Sequence, residues 1–408
     1  MAAVAQRAPS GPAHVAVVSF LAARAAPTGG FFIALAGGVA IARVAQRRGA
    51  RQGFGASIAA MLETVAIIGP ARFGVPLTQA ITAPVLGRLT ARGSPLALQL
   101  LACGAVRVVH NAATTAFFIW VITGGLDAYA GTYDAVGGRL GLEVGTAGAL
   151  LLTAVGLVFW GVFASVVQVL VYRRGLRDWD SAGGAAANAS PDPWPIATEG
   201  RGRFDPRAVS LAAALAFGLL LASTSWPLLL CVGAWLALAW ALSRGDRSVV
   251  PTGLAFCALL AGGAFLFTLG GGLGLDVAAR RGLRAALLVL VATWMRAAAG
   301  SDGLREVARR TLGRMRRVPS MQEAARVLDA LGSEGRLLAA ARSLVASLRR
   351  VELSPMPVLD ATLGWVVREA ESAEDPAPAR APRVLRVRPG DWALVVLAGG
   401  CAAALPLA

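Results

Sequence analysis

Residues 319–348 read PSMQEAARVLDALGSEGRLLAAARSLVASL, and this stretch decides the predicted fold. Its apolar residues recur with the spacing of one helix face, at Met321, Ala325, Leu328, Leu331, Leu337, Ala341, Leu344, Val345 and Leu348. Pro319 and the run 332–335 mark breaks between helices. The stretch belongs to a longer polar insert, residues 295–390, which holds 17 of the chain's 39 arginines. The pattern predicts amphipathic helices that pack against a membrane domain and turn their arginines towards the cytosol or a partner.

The chain around the insert is too apolar for a soluble protein of this length. Hydrophobic residues make up 56% and charged residues 15% of its 408 residues. Several apolar runs reach the roughly 20 residues that a membrane-spanning helix needs. We therefore predict an all-α, polytopic membrane protein with about 11 transmembrane helices and a cytoplasmic amphipathic insert. The predicted spans are 12–26, 29–45, 54–69, 73–89, 95–123, 142–172, 208–222, 227–242, one ending near 269, 283–295 and 392–407.

The spans form two groups with a linker between them. Residues 1–177 form a membrane domain of about six helices, and its basic loops place both of its ends in the cytoplasm. Residues 178–203 are rich in Ala, Gly and Pro, which is typical of a linker. Residues 204–408 form the second membrane domain, which contains the insert helices at 296–390.

The charge pattern excludes several functions. All of the positive charge is arginine, because the sequence contains no lysine, and the net charge is +16. Without a lysine the chain has neither the phosphate-binding loop of an ATPase nor a Schiff base to a cofactor. The arginines concentrate in predicted cytoplasmic segments, so the positive-inside rule explains them without a nucleic-acid partner. Basic helices beside a membrane also attract anionic lipid at the cytoplasmic face.

Polar residues inside the predicted spans are candidates for a substrate pocket. Arg107, His110 and Asn111 share one face of the fifth span, and Glu63 and Gln79 lie in the third and fourth. Ionisable side chains at membrane depth usually face a cavity or a partner. One interpretation is a polar pocket that binds a small substrate from the outer side. The alternative is a buried network, in which Glu63 pairs with Arg107 or Arg72 and fixes helix packing.

A predicted outer loop at residues 127–134 would close such a pocket. Its gate candidates are Asp127, Tyr129, Tyr133 and Asp134. Metal binding and catalysis are not predicted, because the two histidines and four cysteines have no spacing of a metal site and no nucleophile motif is present. The cysteines all lie in apolar runs, where they are expected to act as small core residues. A proton relay through Glu63 and His110 is a weaker alternative.

The second membrane domain carries a resemblance to a known family. Asp205-Pro206-Arg207 precedes a helical hairpin that turns at Ser225-Trp226-Pro227, and two further spans, basic amphipathic helices and a terminal span follow. This order resembles the T component of energy-coupling factor importers, the family that includes the cobalt-transporter permease subunit. The resemblance extends over residues 203–408.

The resemblance implies a function for the insert. In that family the amphipathic segments are coupling helices, each with a small-Arg-small motif whose arginine docks into a cytosolic ATPase. The candidate positions are Ala341-Arg342-Ser343, which is the better match, and Ala325-Arg326-Val327, which is a poor one; the family's commoner Ala-Arg-Gly is missing from the insert. Two ABC-type ATPases would bind ATP and magnesium, and this chain would hold no cofactor and catalyse no reaction itself.

The first domain is then similar, in helix number and orientation, to a substrate-binding S component. The implied protein is a multi-pass subunit of the bacterial inner membrane that imports a vitamin or another micronutrient. A separate S component is the other possible substrate binder. The alternative from another class is a scaffold subunit of a larger membrane complex, in which the same insert docks a partner without transport.

Overall fold

The computed structural model describes residues 9–26, 29–69, 75–182, 204–243, 245–352, 354–372 and 385–407. Every regular element in these ranges is helical. The segment predicted as the first membrane domain, for which we keep the name first domain, contains α1 (Ser10–Ala25), α2 (Gly30–Arg48), α3 (Ala50–Ile68), α4 (Val75–Ala91), α5 (Leu96–Phe117, extended by a π-helical turn Phe118–Thr123), α6 (Leu126–Gly138) and α7 (Gly145–Ala182). The segment predicted as the second domain contains α8 (Pro206–Ala222), α9 (Trp226–Leu242), α10 (Val250–Gly270), α11 (Leu275–Arg314), α12 (Pro319–Ala330), α13 (Glu334–Leu348), α14 (Pro355–Ser372), α15 (Pro389–Gly400) and a 3₁₀ helix (Cys401–Leu407).

Six stretches of helix within the described ranges are long and apolar enough to cross a membrane. They lie at α2, α5, α7, α10, α11 and α15, and the apolar helices α8 and α9 are shorter. The apolar side chains of α5, α7, α10 and α15 are largely exposed. We call these exposed apolar side chains the apolar belt, and they include Leu101, Phe159, Leu259 and Val396. An exposed apolar surface of this extent is typical of contact with lipid or with another protein.

The predicted amphipathic insert forms a helical cap, made of α12, α13 and α14, on the first domain. All three cap helices contact α1, and α12 and α14 also contact α3 and α2 respectively. Together with α2 and α3, which also pack on α1, the cap buries every residue from Ser10 to Ala22. The apolar faces predicted from the sequence are therefore used within the chain: Leu328, Leu337 and Leu344 join one core cluster with α1 and α2.

Small residues allow the helices of the first domain to pack closely. A Cβ on Gly87 of α4 would lie 2.1 Å from the carbonyl oxygen of Ala42 on α2. A Cβ on Gly37 of α2 would lie 2.6 Å from the Cβ of Ser19 on α1. Close backbone approach at Gly, Ala and Ser is the usual packing device of apolar helix bundles.

The second core lies between α8, α9, α11 and α15, where the rings of Trp235 and Trp294 meet edge to face at 5.3 Å. The Asp-Pro-Arg motif begins α8: Asp205 caps the helix by accepting a hydrogen bond from the backbone N–H of Arg207 at 2.9 Å. Asp391 of α15 accepts from the backbone N–H of Asp205 at 2.8 Å and from that of Arg388 at 2.6 Å. The first and last helices of this domain are thereby joined at one end.

The predicted outer turns meet at the opposite end of the molecule. The Trp226 indole donates to Asp276 at 2.8 Å, which joins the α8–α9 turn to the start of α11. Arg284 of α11 donates to the carbonyl of Leu221 at 2.9 Å and to that of Val121 at 2.8 Å. This arginine therefore connects the two domains at that end.

Several predicted elements differ from the structure. Residues 127–134, expected as a loop, lie within α6, where Asp127 in the first turn favours the positive end of the helix dipole. The span predicted from residue 283 starts at Leu275, because an Asp276–Arg280 pair one turn apart makes the polar start compatible with a helix. Of the predicted linker, residues 178–182 belong to α7 and 183–203 lie outside the described residues.

Candidate functional site

The candidate site is an ionic junction where α3, α11, the cap and the α9–α10 loop meet. We define the ionic junction as Glu63, Asp246, Arg296, Ser301, Arg305 and Glu334. Its centre is the pair of Glu63 on α3 and Arg305 on α11, whose side chains are 0% and 8% exposed. The guanidinium of Arg305 donates to both carboxylate oxygens of Glu63. It also donates to the carbonyl of Gly332, in the turn between α12 and α13, at 3.0 Å.

Arg296 is the second centre of the junction, and its side chain is 1% exposed. Its Nε donates to the carbonyl of Ile67 at the end of α3 at 2.9 Å. Its other nitrogens reach Glu334 at 2.6 Å and Asp246 at 3.5 Å. Ser301 donates to the second oxygen of Glu334. One side chain thus links α3, the first turn of α13 and the α9–α10 loop.

A kink at Gly300 places both arginines in the junction. Gly300 has φ 71° and ψ 162°, a conformation in which residues with a Cβ are strained, and it divides α11 into two helical segments. Arg296 lies before the kink and Arg305 after it. The bend lets one polypeptide segment present two guanidinium groups to carboxylates from three other parts of the chain.

The α9–α10 loop is held against α11 by its backbone as well. The N–H of Asp246 donates to the carbonyl of Ala297 at 2.9 Å, and a Cβ on Gly245 would lie 2.3 Å from the same oxygen. Burial raises the pKa of Asp246, but hydrogen bonds from Ser248 and the charge of Arg296 outweigh it and hold that pKa below its ordinary value. Asp246 is therefore a carboxylate at neutral pH, as the pairing with Arg296 requires.

The junction can transmit a displacement between the parts that it joins. It brings two arginines and three carboxylates together; the side chains of Glu63, Arg296 and Arg305 are almost fully buried, whereas those of Glu334 and Asp246 are 21% and 37% exposed. Separating a carboxylate from its buried arginine leaves a buried charge without that partner, and this cost opposes movement of the cap relative to α3 and α11. The predicted pairing of Glu63 with Arg107 is wrong, and Arg72 lies outside the described residues.

A separate polar cluster lies around Arg107, and we define it as Thr82, Cys103, Arg107 and Gln168, together with Gln79 one turn before Thr82 on α4. Arg107 donates through Nη2 to Oε1 of Gln168 at 2.5 Å, and Cys103 donates to the same oxygen at 3.3 Å. The amide nitrogen of Gln168 donates to Thr82 at 2.8 Å. Gln79 is fully buried, and its amide atoms have no hydrogen-bond partner within the described ranges. The cluster therefore links α4, α5 and α7 and does not include Glu63.

The other predicted pocket residues lie towards the surface of α5. His110 and Asn111 are half-buried and Thr114 is exposed. Exposure on this face of α5 therefore increases along the helix from the buried Arg107 to Thr114. Thr114 donates to the carbonyl of His110 in its own helix at 2.8 Å. The structure thus divides the five predicted pocket residues between the junction, the polar cluster and the outer face of α5.

Three of the four gate candidates, Tyr129, Tyr133 and Asp134, hold α6 against α7 instead of forming a free loop. The hydroxyl of Tyr129 lies 2.6 Å from that of Thr153 and 3.1 Å from that of Tyr133. Asp134 accepts from the first backbone N–H of α7, at Gly145, at 2.7 Å. Asp127 is exposed in the first turn of α6.

The two predicted docking arginines lie on the outer surface of the cap. The side chain of Arg326 on α12 is 62% exposed and contacts Glu323 of its own helix at 3.2 Å. Arg342 on α13 is exposed, and its Nε donates to the carbonyl of Leu338 one turn earlier at 3.3 Å. Ala341 is buried beside it and anchors that turn of the helix to the core. The arginines are thus presented on a surface that rests on the first domain.

Two apolar cavities lie away from these residues. One, of about 300 Å³, is bordered by Phe204, Trp235, Leu394 and Arg388 between α9 and α15. The other, of about 180 Å³, is bordered by Phe118, Leu260 and Thr268. Neither has a predicted pocket residue in its wall. Among the residues that the structure describes, no group of three or more metal-ligating side chains is present.

Sequence reasoning missed Arg296, Arg305 and Gln168. The two arginines were attributed to the general positive-inside bias, although a fully buried Glu63 requires a cation and Gly300 between them signals a bend. Gln168 is an isolated amide in a long apolar run. Because a buried polar group without a hydrogen bond costs free energy, its position predicts a polar partner.

Comparison with models of protein families, with curated proteins and with solved structures finds no match for this chain. The function proposed below therefore rests on the geometry of the chain and on the resemblance in segment order.

Proposed function

We propose that this chain is a polytopic subunit of the bacterial inner membrane that couples two cytosolic ABC-type ATPases to the import of a vitamin or another micronutrient. The exposed apolar belt on α5, α7, α10 and α15 supports a location in the lipid bilayer. The shorter helices α8 and α9 are the further candidates for spans. If the basic segments face the cytoplasm, as the positive-inside rule predicts, the cap lies on the cytoplasmic side and α6 on the outer side.

One observation carries the proposal: the cap presents Arg326 and Arg342 outwards while its opposite face is packed on the first domain. Because the opposite face of each helix is already packed on the first domain, its exposed arginine can enter a groove of a partner while the helix stays folded. Guanidinium groups suit such a contact because they form paired hydrogen bonds with carboxylates. Arg342 lies in a small-Arg-small sequence of the kind that the family resemblance assigns to ATPase docking, whereas the sequence around Arg326 departs from it at Val327.

The ionic junction gives this docking surface a route into the membrane part. ATP and magnesium would be bound and hydrolysed in the ATPase subunits, whose closure would move the cap. Because Arg305 holds both α3 and the α12–α13 turn, and Arg296 holds α13 and the α9–α10 loop, such a movement would pass to both domains. The polar cluster around Arg107 lies in the first domain, where the substrate-binding function is proposed.

A second candidate function is a scaffold subunit without transport. It is favoured by the finding that Glu63 and Arg107 are engaged by other residues of the chain, as in a packing network. The cap would then dock a cytosolic enzyme or another membrane protein through the same arginines.

Site-specific photocrosslinking tests what docks on the cap. A benzophenone amino acid at Ser343, which is exposed next to Arg342, is expected to crosslink a cytosolic ABC-type ATPase in intact cells. The same group at Val136, exposed on α6 at the opposite end, is the control and should not capture that protein. Capture of a different soluble protein at Ser343 would support the scaffold, and capture of lipid alone would contradict both functions.

Charge reversal tests the two arginines directly. Replacing both Arg326 and Arg342 with Glu is expected to release the ATPases during purification, with at least a tenfold loss of co-purified ATPase, because each contact changes from attraction to repulsion. Arg92→Glu, at an exposed site on the α4–α5 turn, is the matched control and should retain them. Equal recovery from the double variant and the control would remove these arginines from the docking site.

A further inference from the structure

The fold brings two cysteines together that are 170 residues apart in the sequence. Cys231 lies on α9, and Cys401 begins the 3₁₀ helix after α15. Their sulfur atoms are 2.9 Å apart. Both cysteines are free thiols. The separation is shorter than ordinary contact between two sulfur atoms, so the helices already hold the pair in register.

We propose that Cys231 and Cys401 form a dithiol–disulfide site that links the end of α15 to α9. A disulfide has an S–S bond of about 2.05 Å, so closure from the present 2.9 Å requires the sulfurs to approach by roughly 0.9 Å. Cys401 is 2% exposed and Cys231 is half-buried. The more accessible Cys231 is therefore the sulfur that an external reagent meets first.

The oxidant is a second disulfide, and the reaction is two successive exchanges. The Cys231 thiolate attacks one sulfur of the external disulfide, forms a mixed disulfide and releases the first thiolate of the reagent. The Cys401 thiolate then attacks the Cys231 sulfur, forms the internal bond and releases the second. The two protons of the cysteines pass to the released thiolates or to solvent, and two electrons pass from the pair to the external disulfide, which becomes two thiols.

The other two cysteines provide internal controls. Cys103 donates to Gln168 in the polar cluster, and Cys257 lies beside the carbonyl of Ala286 at 3.8 Å. Neither has a sulfur neighbour in the hydrogen-bond pattern of the described residues.

Because the chain contains arginine but no lysine, trypsin places each cysteine in a separate peptide. Those peptides are 93–107, 208–244, 248–280 and 387–408, the last one starting after Arg386 because Pro389 protects the bond after Arg388.

The test treats the full chain, purified in lipid nanodiscs, with the membrane-permeant disulfide 4,4′-dithiodipyridine. The sample is then acidified, denatured and alkylated, and its tryptic peptides are analysed by mass spectrometry without reduction. We expect peptides 208–244 and 387–408 to be joined, with two thiopyridone molecules released per linked pair. The chain should remain a monomer on a non-reducing gel, and a further variant, Cys103→Ser with Cys257→Ser, should give the same link.

Separate outcomes would overturn the site. Two results would show that the sulfurs do not meet. One is a separate pyridyl adduct on each of Cys231 and Cys401. The other is alkylation of both cysteines under reagent conditions that modify all four thiols of the unfolded chain. A linked dimer would show that the bond forms between chains. Cys231→Ser should abolish the linked peptide, and a link from Cys401 to another cysteine in that variant would also contradict the proposed pair.

Discussion

Replacing Glu63 with Gln is expected to lower the free energy of unfolding by about 3–5 kcal/mol. The substitution removes the carboxylate that faces Arg305 and leaves a guanidinium with an 8% exposed side chain in a site built for a charge pair. The loss can be measured by denaturant titration in micelles, with the fluorescence of the ten tryptophans as the signal. Asp360→Asn is the matched control, because its partner Arg174 and Asp360 itself are 39% and 47% exposed. Exposed pairs contribute at most about 1 kcal/mol, so this variant should unfold nearly as the original chain does.

A double substitution separates the charge from the packing. Glu63→Leu together with Arg305→Met removes both charges and keeps apolar bulk, so its stability should return to within about 1–2 kcal/mol of the original. A Glu63→Gln variant as stable as Asp360→Asn would contradict the assignment of this pair as the centre of the ionic junction.

Replacing Arg296 with Met is expected to lower the free energy of unfolding by about 3–5 kcal/mol. We also expect it to loosen the cap locally. The variant loses the donors to Ile67, Glu334 and Asp246, and two carboxylates lose their buried partner. Hydrogen exchange should therefore accelerate first in the opening turn of α13 and in the α9–α10 loop. The α8–α9 turn, joined to α11 by Trp226 and Asp276 far from Arg296, should exchange at its original rate.

The control for this experiment is Arg326→Met. Its side chain is 62% exposed, and its contact with Glu323 lies within one helix, so its removal should leave exchange in α13 unchanged. Exchange that accelerates equally in every helix of the Arg296→Met variant would show that the residue contributes only to global stability and does not link these segments.

The helices themselves follow from the sequence. Pro206, Pro227 and Pro319 lie in the first turns of α8, α9 and α12, where proline is compatible with a helix, and they mark the starts that were predicted. The spacing of Leu328, Leu337 and Leu344 correctly predicted which faces of the cap are buried. These features depend on neighbours a few residues away, which the sequence displays directly.

The partners of the buried charges do not follow from the sequence. Glu63 and Arg305 are 242 residues apart, and with 39 arginines in the chain nothing local selects the right one. The sequence places Gln79 and Arg107 inside predicted spans, but which residues they meet, and that Arg107 does not pair with Glu63, depends on how α3, α4 and α5 pack in three dimensions. The proximity of Cys231 and Cys401 has the same origin, since neither residue has a distinctive neighbourhood in the sequence.

The subunit composition of the native complex tests the central proposal most directly. The chain would be tagged, solubilised gently from its own membrane and purified, and every co-purifying protein would be identified and quantified by mass spectrometry. The proposal predicts two ABC-type ATPase subunits per chain and ATP hydrolysis by the purified complex. A stable complex that contains other proteins and no ATPase would contradict the coupling function.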